Sequence, residues 1–210
     1  DKFERSVIAD TGVAIEAIGD DYVTATGSLE ELRRLEDLGF VDVSFALTEK
    51  MDFPTKDAPY HNYAEMRAAL DSMAQTYPNL VQPLNIGKTI EGRDIVGIRI
   101  SGQLAQASTL PGVFFMGGHH AREHLSVEMP LRFAQWLLAE YAKGNSRIVN
   151  LVNNRDIHII PAVNPDGLEY DIATGSYKMW RKNRRQNSNG TYGVDLNRNY
   201  GYQWGGGGAS

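Results

Sequence analysis

The chain has 210 residues, 42% of them hydrophobic, with a formal net charge of -5 and no cysteine. That length allows one large domain or two smaller ones, and no apolar stretch approaches the roughly 18 residues a membrane span needs. The acidic balance argues against a general nucleic-acid or anionic-membrane partner, and without cysteine any zinc must rest on His and carboxylates. The start Asp1-Lys2-Phe3-Glu4 is neither a signal peptide nor an initiator-Met start, so the N-terminus is expected to be missing.

Residues 1–50 read as a small αβ unit. Strand-like segments at 12–18 and 22–26 flank a turn at Gly19-Asp20-Asp21. Ser28 and Glu31 have capping-box spacing. Leu29, Leu32, Leu35 and Leu38 then mark one helix face that Gly39 stops, and residues 41–47 are a further strand. The polar, Pro-containing stretch 48–59 reads as a linker. A second unit begins near Tyr60. Tyr63, Met66, Leu70, Met73 and Tyr77 follow 3-4-3-4 spacing, which predicts an amphipathic helix over 62–77 ended by Pro78. Strands follow at 84–90, 95–100, 113–116 and 157–162, with a helix at 126–143 closed by Gly144. This alternation implies an α/β layered sheet.

The run Val113 to Met116 ends in Gly118-His119-His120-Ala121-Arg122-Glu123. A His and a Glu three apart at a strand end could ligate zinc, although H-x-x-E alone is a weak signal. Three polar clusters follow it. Asn164-Pro165-Asp166-Gly167 has the residues of a turn. Trp180-Arg181-Lys182-Asn183-Arg184-Arg185 reads by itself as a solvated face or a nucleic-acid patch. Val194-Asp195-Leu196-Asn197-Arg198-Asn199-Tyr200 reads as a polar turn. The spacings of His61 with Glu65 and of His124 with Glu128 fit surface helix pairs, and the sequon Asn189-Gly190-Thr191 fits coincidence in a polar loop.

In order and spacing, these motifs make the chain, from about residue 60 to 210, resemble the zinc metallocarboxypeptidases of pancreatic and bacterial type. Residues 1–50 look like part of the activation segment that precedes the catalytic domain in zymogens of this family. The resemblance implies a small α+β activation domain (1–50), a linker (51–59) and the N-terminal half of a catalytic domain (60–210). That catalytic domain is an α/β fold with a mostly parallel or mixed central sheet and helices on both faces. It further implies Zn²⁺ as cofactor and hydrolysis of the C-terminal peptide bond by zinc-bound water. His120 and Glu123 match two zinc ligands, whereas His119 falls outside the H-x-x-E spacing and reads as a loop residue. Asp195 matches the carboxylate that orients the ligating imidazole. Arg184 matches the arginine that stabilises the oxyanion. Asn197 and Arg198 match the pair that grips the substrate's terminal carboxylate, and Arg122 matches a contact further along the substrate. Arg181, Lys182 and Arg185 read as surface charge, with Arg181 a secondary substrate contact at most.

The expected partners are peptide or protein C-termini and an activating protease, with no nucleic acid and no membrane. A secreted monomer is expected, with residues 1–50 covering the active-site mouth until removed. The family's third ligand is a later His and its general base a later Glu. Here no His follows His158, so a C-terminally truncated, inactive chain is expected. Two other readings stay open: a zinc amidohydrolase acting on murein peptides or acyl-amino acids, and a non-catalytic binding or inhibitory fragment.

Overall fold

The computed structural model describes residues 52–202 and 204, together with residues 4, 7–8, 10–11, 14–19, 22–26 and 29–40 of the N-terminal part. Two compact units divide at residue 48. In the first, β1 (Ala14–Ile18) pairs antiparallel with β2 (Val23–Thr26), and Gly19 closes the turn by donating its N–H to the Tyr22 carbonyl at 2.9 Å. Helix α1 (Leu29–Asp37) ends where the sequence indicates. Gly39 sits at φ +78°, a left-handed conformation open to glycine, and Phe40 donates its N–H back to the Leu35 carbonyl. The expected cap at Ser28 and the strand over 41–47 lie outside the described residues.

The second unit is a mixed four-stranded sheet. Its strands are β3 (Val81–Lys88), β4 (Asp94–Ile100), β5 (Gly112–Met116) and β6 (Asp156–Ile160), in the order β3-β4-β6-β5. The β3/β4 and β4/β6 pairs are antiparallel and β5/β6 is parallel. Pro83 is accommodated because β3 is an edge strand.

The strand registers decide where the core sits. Val81 opposes Ile100, Ile98 opposes Ile159, and Ile100 opposes Ile157. These five buried side chains form one apolar face. Helices α2 (Tyr63–Thr76), α3 (Leu125–Ala142) and α4 (Ser146–Asn153) cover it with Met66, Leu70, Leu131, Leu137 and Val152, among others. Fully burying each such side chain is worth about 1.5–3 kcal/mol. These three helices lie on this face. The opposite face carries a polar cluster. Arg99 grips Asp156 with two hydrogen bonds of 2.6 and 2.7 Å, His158 joins at 3.0 Å, and Phe114 stacks on the His158 ring.

Helix α2 buries Met66, Leu70 and Met73, as the spacing requires. Its start is set by Asn62, whose side chain accepts from the Glu65 amide at 3.0 Å while Glu65 accepts from the Asn62 amide at 3.1 Å. Three local expectations fail. Helix α4 follows Gly144, where no element was expected. The segment 164–167 opens helix α5 (Pro165–Ile172) instead of forming a turn, because Asn164 caps the Gly167 amide and Pro165 takes the first helical position. The i,i+4 histidine pairs are not surface pairs. Glu128 is buried and accepts from both the His61 amide (2.7 Å) and its Nδ1 (2.8 Å), while buried His124 turns to Asp171.

Candidate metal centre

The parallel strands β5 and β6 deliver their ends to one place, and both continue into the loops that carry the chemistry. After β5, Gly117 donates its N–H to the Ile160 carbonyl at 3.0 Å and accepts from the Val163 amide at 3.0 Å. Gly118 follows at φ +61°, where a Cβ would meet Leu168, Val127 and Ala162 at 3.0–3.1 Å. A non-glycine residue there faces both backbone strain and crowding. The loop 119–124 then enters α3. Ser126 Oγ secures it by donating to the Glu123 carbonyl at 2.6 Å and accepting from the Gly118 amide at 3.0 Å.

In this loop His120 and Glu123 converge, with Nδ1 and Oε1 2.9 Å apart. The other ring nitrogen, Nε2, lies 3.1 Å from Asp195 Oδ1. His120 and Asp195 are buried, whereas the Glu123 side chain is 50% exposed. With its hydrogen on Nε2 and donated as a hydrogen bond to Asp195, the neutral imidazole presents the Nδ1 lone pair to a carboxylate oxygen. Two acceptors so close favour a cation shared between them, and imidazole nitrogen with carboxylate oxygen is a zinc-type donor set. The residues present therefore fit two ligands of a zinc site. Among the described residues no cluster of three or more metal-binding side chains occurs.

Asp195 is itself held. It accepts from the Asn197 amide at 2.9 Å with one oxygen and from Arg181 Nε at 3.1 Å with the other. Burial pushes its carboxyl up, but the Arg181 and His120 hydrogen bonds outweigh burial and leave it below the usual carboxylate range. Arg181 also reaches Glu123 Oε1 at 3.4 Å. It is thus part of the centre, not mere surface charge. Nothing in its basic run distinguishes it, because the contact joins residues 58 positions apart. Asn164 was equally unforeseen in this role. From its buried position its amide donates to the carbonyls of His119 and Lys182, both at 3.1 Å, tying the two site segments together.

Asn197 and Arg198 lie on the exposed short helical turn Leu196–Arg198 that Asp195 caps. Arg122 is exposed in the loop beside Glu123. His119 meets the Tyr200 hydroxyl at 2.5 Å, and burial, with the neighbouring His120, pushes its pKa down. Arg184 packs among aromatic rings. Its guanidinium carbon sits 3.6 Å from the Tyr170 ring centroid and 5.0 Å from those of Trp180 and Tyr192, with Nε 3.6 Å from Glu91 Oε1. Among the described residues, Arg184 Nε is buried without a hydrogen-bond partner.

The zinc carboxypeptidase family profile matches residues 66–210. A zinc carboxypeptidase of Saccharothrix mutabilis subsp. capreolus is 44% identical over 195 residues, which are 93% of this chain and 42% of that protein. Bovine thrombin-activatable fibrinolysis inhibitor, solved in complex with tick carboxypeptidase inhibitor, aligns with a TM-score of 0.61 at 31% identity. That alignment covers 72% of this chain and 47% of the other. The carboxypeptidase A of Helicoverpa armigera aligns with a TM-score of 0.60 at 28% identity, over 98% of this chain and 48% of the other. The chain spans less than half the length of each of these relatives.

Proposed function

The chain belongs to the zinc carboxypeptidase family, and from that premise we propose that the whole protein hydrolyses the C-terminal peptide bond of peptides and proteins. The observation that carries this reading is the convergence of His120 Nδ1 and Glu123 Oε1, with Asp195 holding the far side of the imidazole. In this reading His120 and Glu123 are two of the zinc ligands and Asp195 fixes the tautomer of His120. When bound, zinc supplies Lewis acidity and lowers the pKa of a coordinated water toward about 7.

The chain's own residues supply the positioning. Arg198, with Asn197, takes the substrate's terminal carboxylate, because a guanidinium forms a planar two-point fork on that group. Arg122 contacts the substrate further from its end. Arg184, held among Tyr170, Trp180 and Tyr192, is the candidate for the developing oxyanion. A third protein ligand and a general base come from outside the 210 residues in this reading, so these residues alone are expected to be inactive.

We assign residues 1–50 as an activation segment, removed by a protease before the enzyme works. Alignments over 93% and 98% of the chain reach into the first unit, so these relatives carry a matching segment ahead of the matched residues 66–210. Secretion follows from the zymogen reading, and a monomeric enzyme is proposed beside it. Among the described residues no helix is long and apolar enough to cross a membrane.

The test is hydrolysis by the zinc-loaded whole protein of a blocked dipeptide with a free C-terminal carboxylate, beside the same dipeptide as its amide. Cleavage of the acid alone is expected. Equal cleavage of both contradicts the carboxypeptidase reading and favours an amidohydrolase.

A further inference from the structure

Asp171 is a carboxylate with 0% exposure at the C-terminal end of α5. Both circumstances oppose it. A helix C-terminus disfavours negative charge, and burying a carboxylate is costly unless it is well hydrogen-bonded. What it holds is informative. Oδ2 lies 2.9 Å from His124 Nε2, and Oδ1 accepts from the Trp180 amide at 2.6 Å. His124 directly follows Glu123, and Trp180 directly precedes Arg181. The same two segments meet again where the Ala121 amide donates to the Arg181 carbonyl at 3.0 Å and where Arg181 reaches Glu123 at 3.4 Å. Phe53 meets the His124 ring edge-on at 4.8 Å and Tyr177 lies 5.5 Å from it, so the imidazole cannot turn away without opening a packed aromatic cluster.

We propose that Asp171 is a positioning residue of the metal centre, fixing the loop that carries His120 and Glu123 against the segment that carries Arg181. This rests on the zinc reading above. Without the anionic fork, His124 is released at one end and Trp180 at the other. Glu123, itself half-exposed, then loses the fixed backbone that aims it at His120.

The experiment compares Asp171→Asn, His124→Asn, the double variant and Asp156→Asn in the whole protein. It measures zinc affinity by chelator competition and the visible spectrum of the Co²⁺-substituted form, with near-ultraviolet circular dichroism to confirm folding. Asp171→Asn is expected to weaken zinc binding about 10–100-fold, as loss of a partner behind a metal ligand does, and to alter the Co²⁺ spectrum. The double variant should be no worse than the stronger single one, because both break the same link. Asp156→Asn, which removes a buried carboxylate on the other face of the sheet, should lower Tm and leave zinc affinity unchanged. If Asp171→Asn does not fold, His124→Asn carries the same test. Wild-type affinity and spectrum in folded Asp171→Asn, or in His124→Asn standing in for it, overturn the positioning role while leaving the zinc reading intact. A wild-type protein that binds no zinc overturns the zinc reading and this role with it.

Discussion

Replacing Gly117 by Ala adds one methyl group at the root of the metal loop. Its Cβ would lie 1.9 Å from the Ser126 carbonyl oxygen and 2.8 Å from that of Pro161, both backbone atoms. The Ser126 carbonyl projects here for a reason. Four residues on stands Pro130, inside α3, which has no N–H to receive it and whose ring crowds it outward. Restoring a tolerable contact requires the Ser126 peptide to move by about 1 Å, and the Ser126 side chain is bonded to the Glu123 carbonyl. Overpacking of this kind costs about 1–3 kcal/mol, equivalent to a fall in Tm of several degrees in a domain of this size. Because the displacement is passed to Glu123, activity should fall by about 10²-fold. The control is Gly112→Ala at the start of β5, the strand that precedes this loop, where a Cβ meets only the Asp156 carbonyl at 3.9 Å. That variant should be neutral or more stable by about 0.5 kcal/mol. Thermal unfolding and peptide hydrolysis of the two variants in the whole protein decide the matter. A Gly117→Ala protein with unchanged Tm and activity refutes the reasoning.

Arg99, by its hydrogen bonds, holds the Asp156 carboxyl below the usual carboxylate range, so the pair's stabilisation is present above about pH 4 and is lost as pH falls through the folded-state value. Asp156→Asn should cost about 2 kcal/mol at pH 7 by urea unfolding, with a deficit that shrinks toward pH 3; a deficit independent of pH contradicts this. Asn62→Ala removes one half of the α2 capping box and should cost about 1 kcal/mol in the same assay. Arg198→Ala should lower kcat/KM on free-carboxylate peptides about 10–100-fold while zinc affinity stays at its wild-type value. A parallel loss of zinc would instead make Arg198 part of the metal centre.

Much of the frame was legible in the sequence because its signals are local. The spacing of Met66, Leu70 and Met73 marks α2, and short apolar runs mark β4, β5 and β6. H-x-x-E at a strand end marks the loop where His120 and Glu123 converge. What stayed hidden are partnerships across long separations. Glu128 has His124 at helical spacing yet binds His61, 67 residues away, because the start of α2 is docked there. Arg181 reads as one cation in a basic run until the turn at Asp195 comes beside it. Asn164-Pro165 suits a turn and a helix start alike, and the long-range part of its role, the Asn164 amide donating to the carbonyls of His119 and Lys182, leaves no local signal. Helix α4 spans only eight residues, about two turns, so its apolar positions 148, 149, 151 and 152 are too few to mark an element in the sequence.

The most direct measurement is the zinc content and affinity of the whole protein beside its Glu123→Gln and His120→Asn variants. The account predicts one zinc per wild-type chain and binding at least about 10²-fold weaker in either variant. Equal zinc binding by wild type and both variants contradicts the assignment of these residues as ligands.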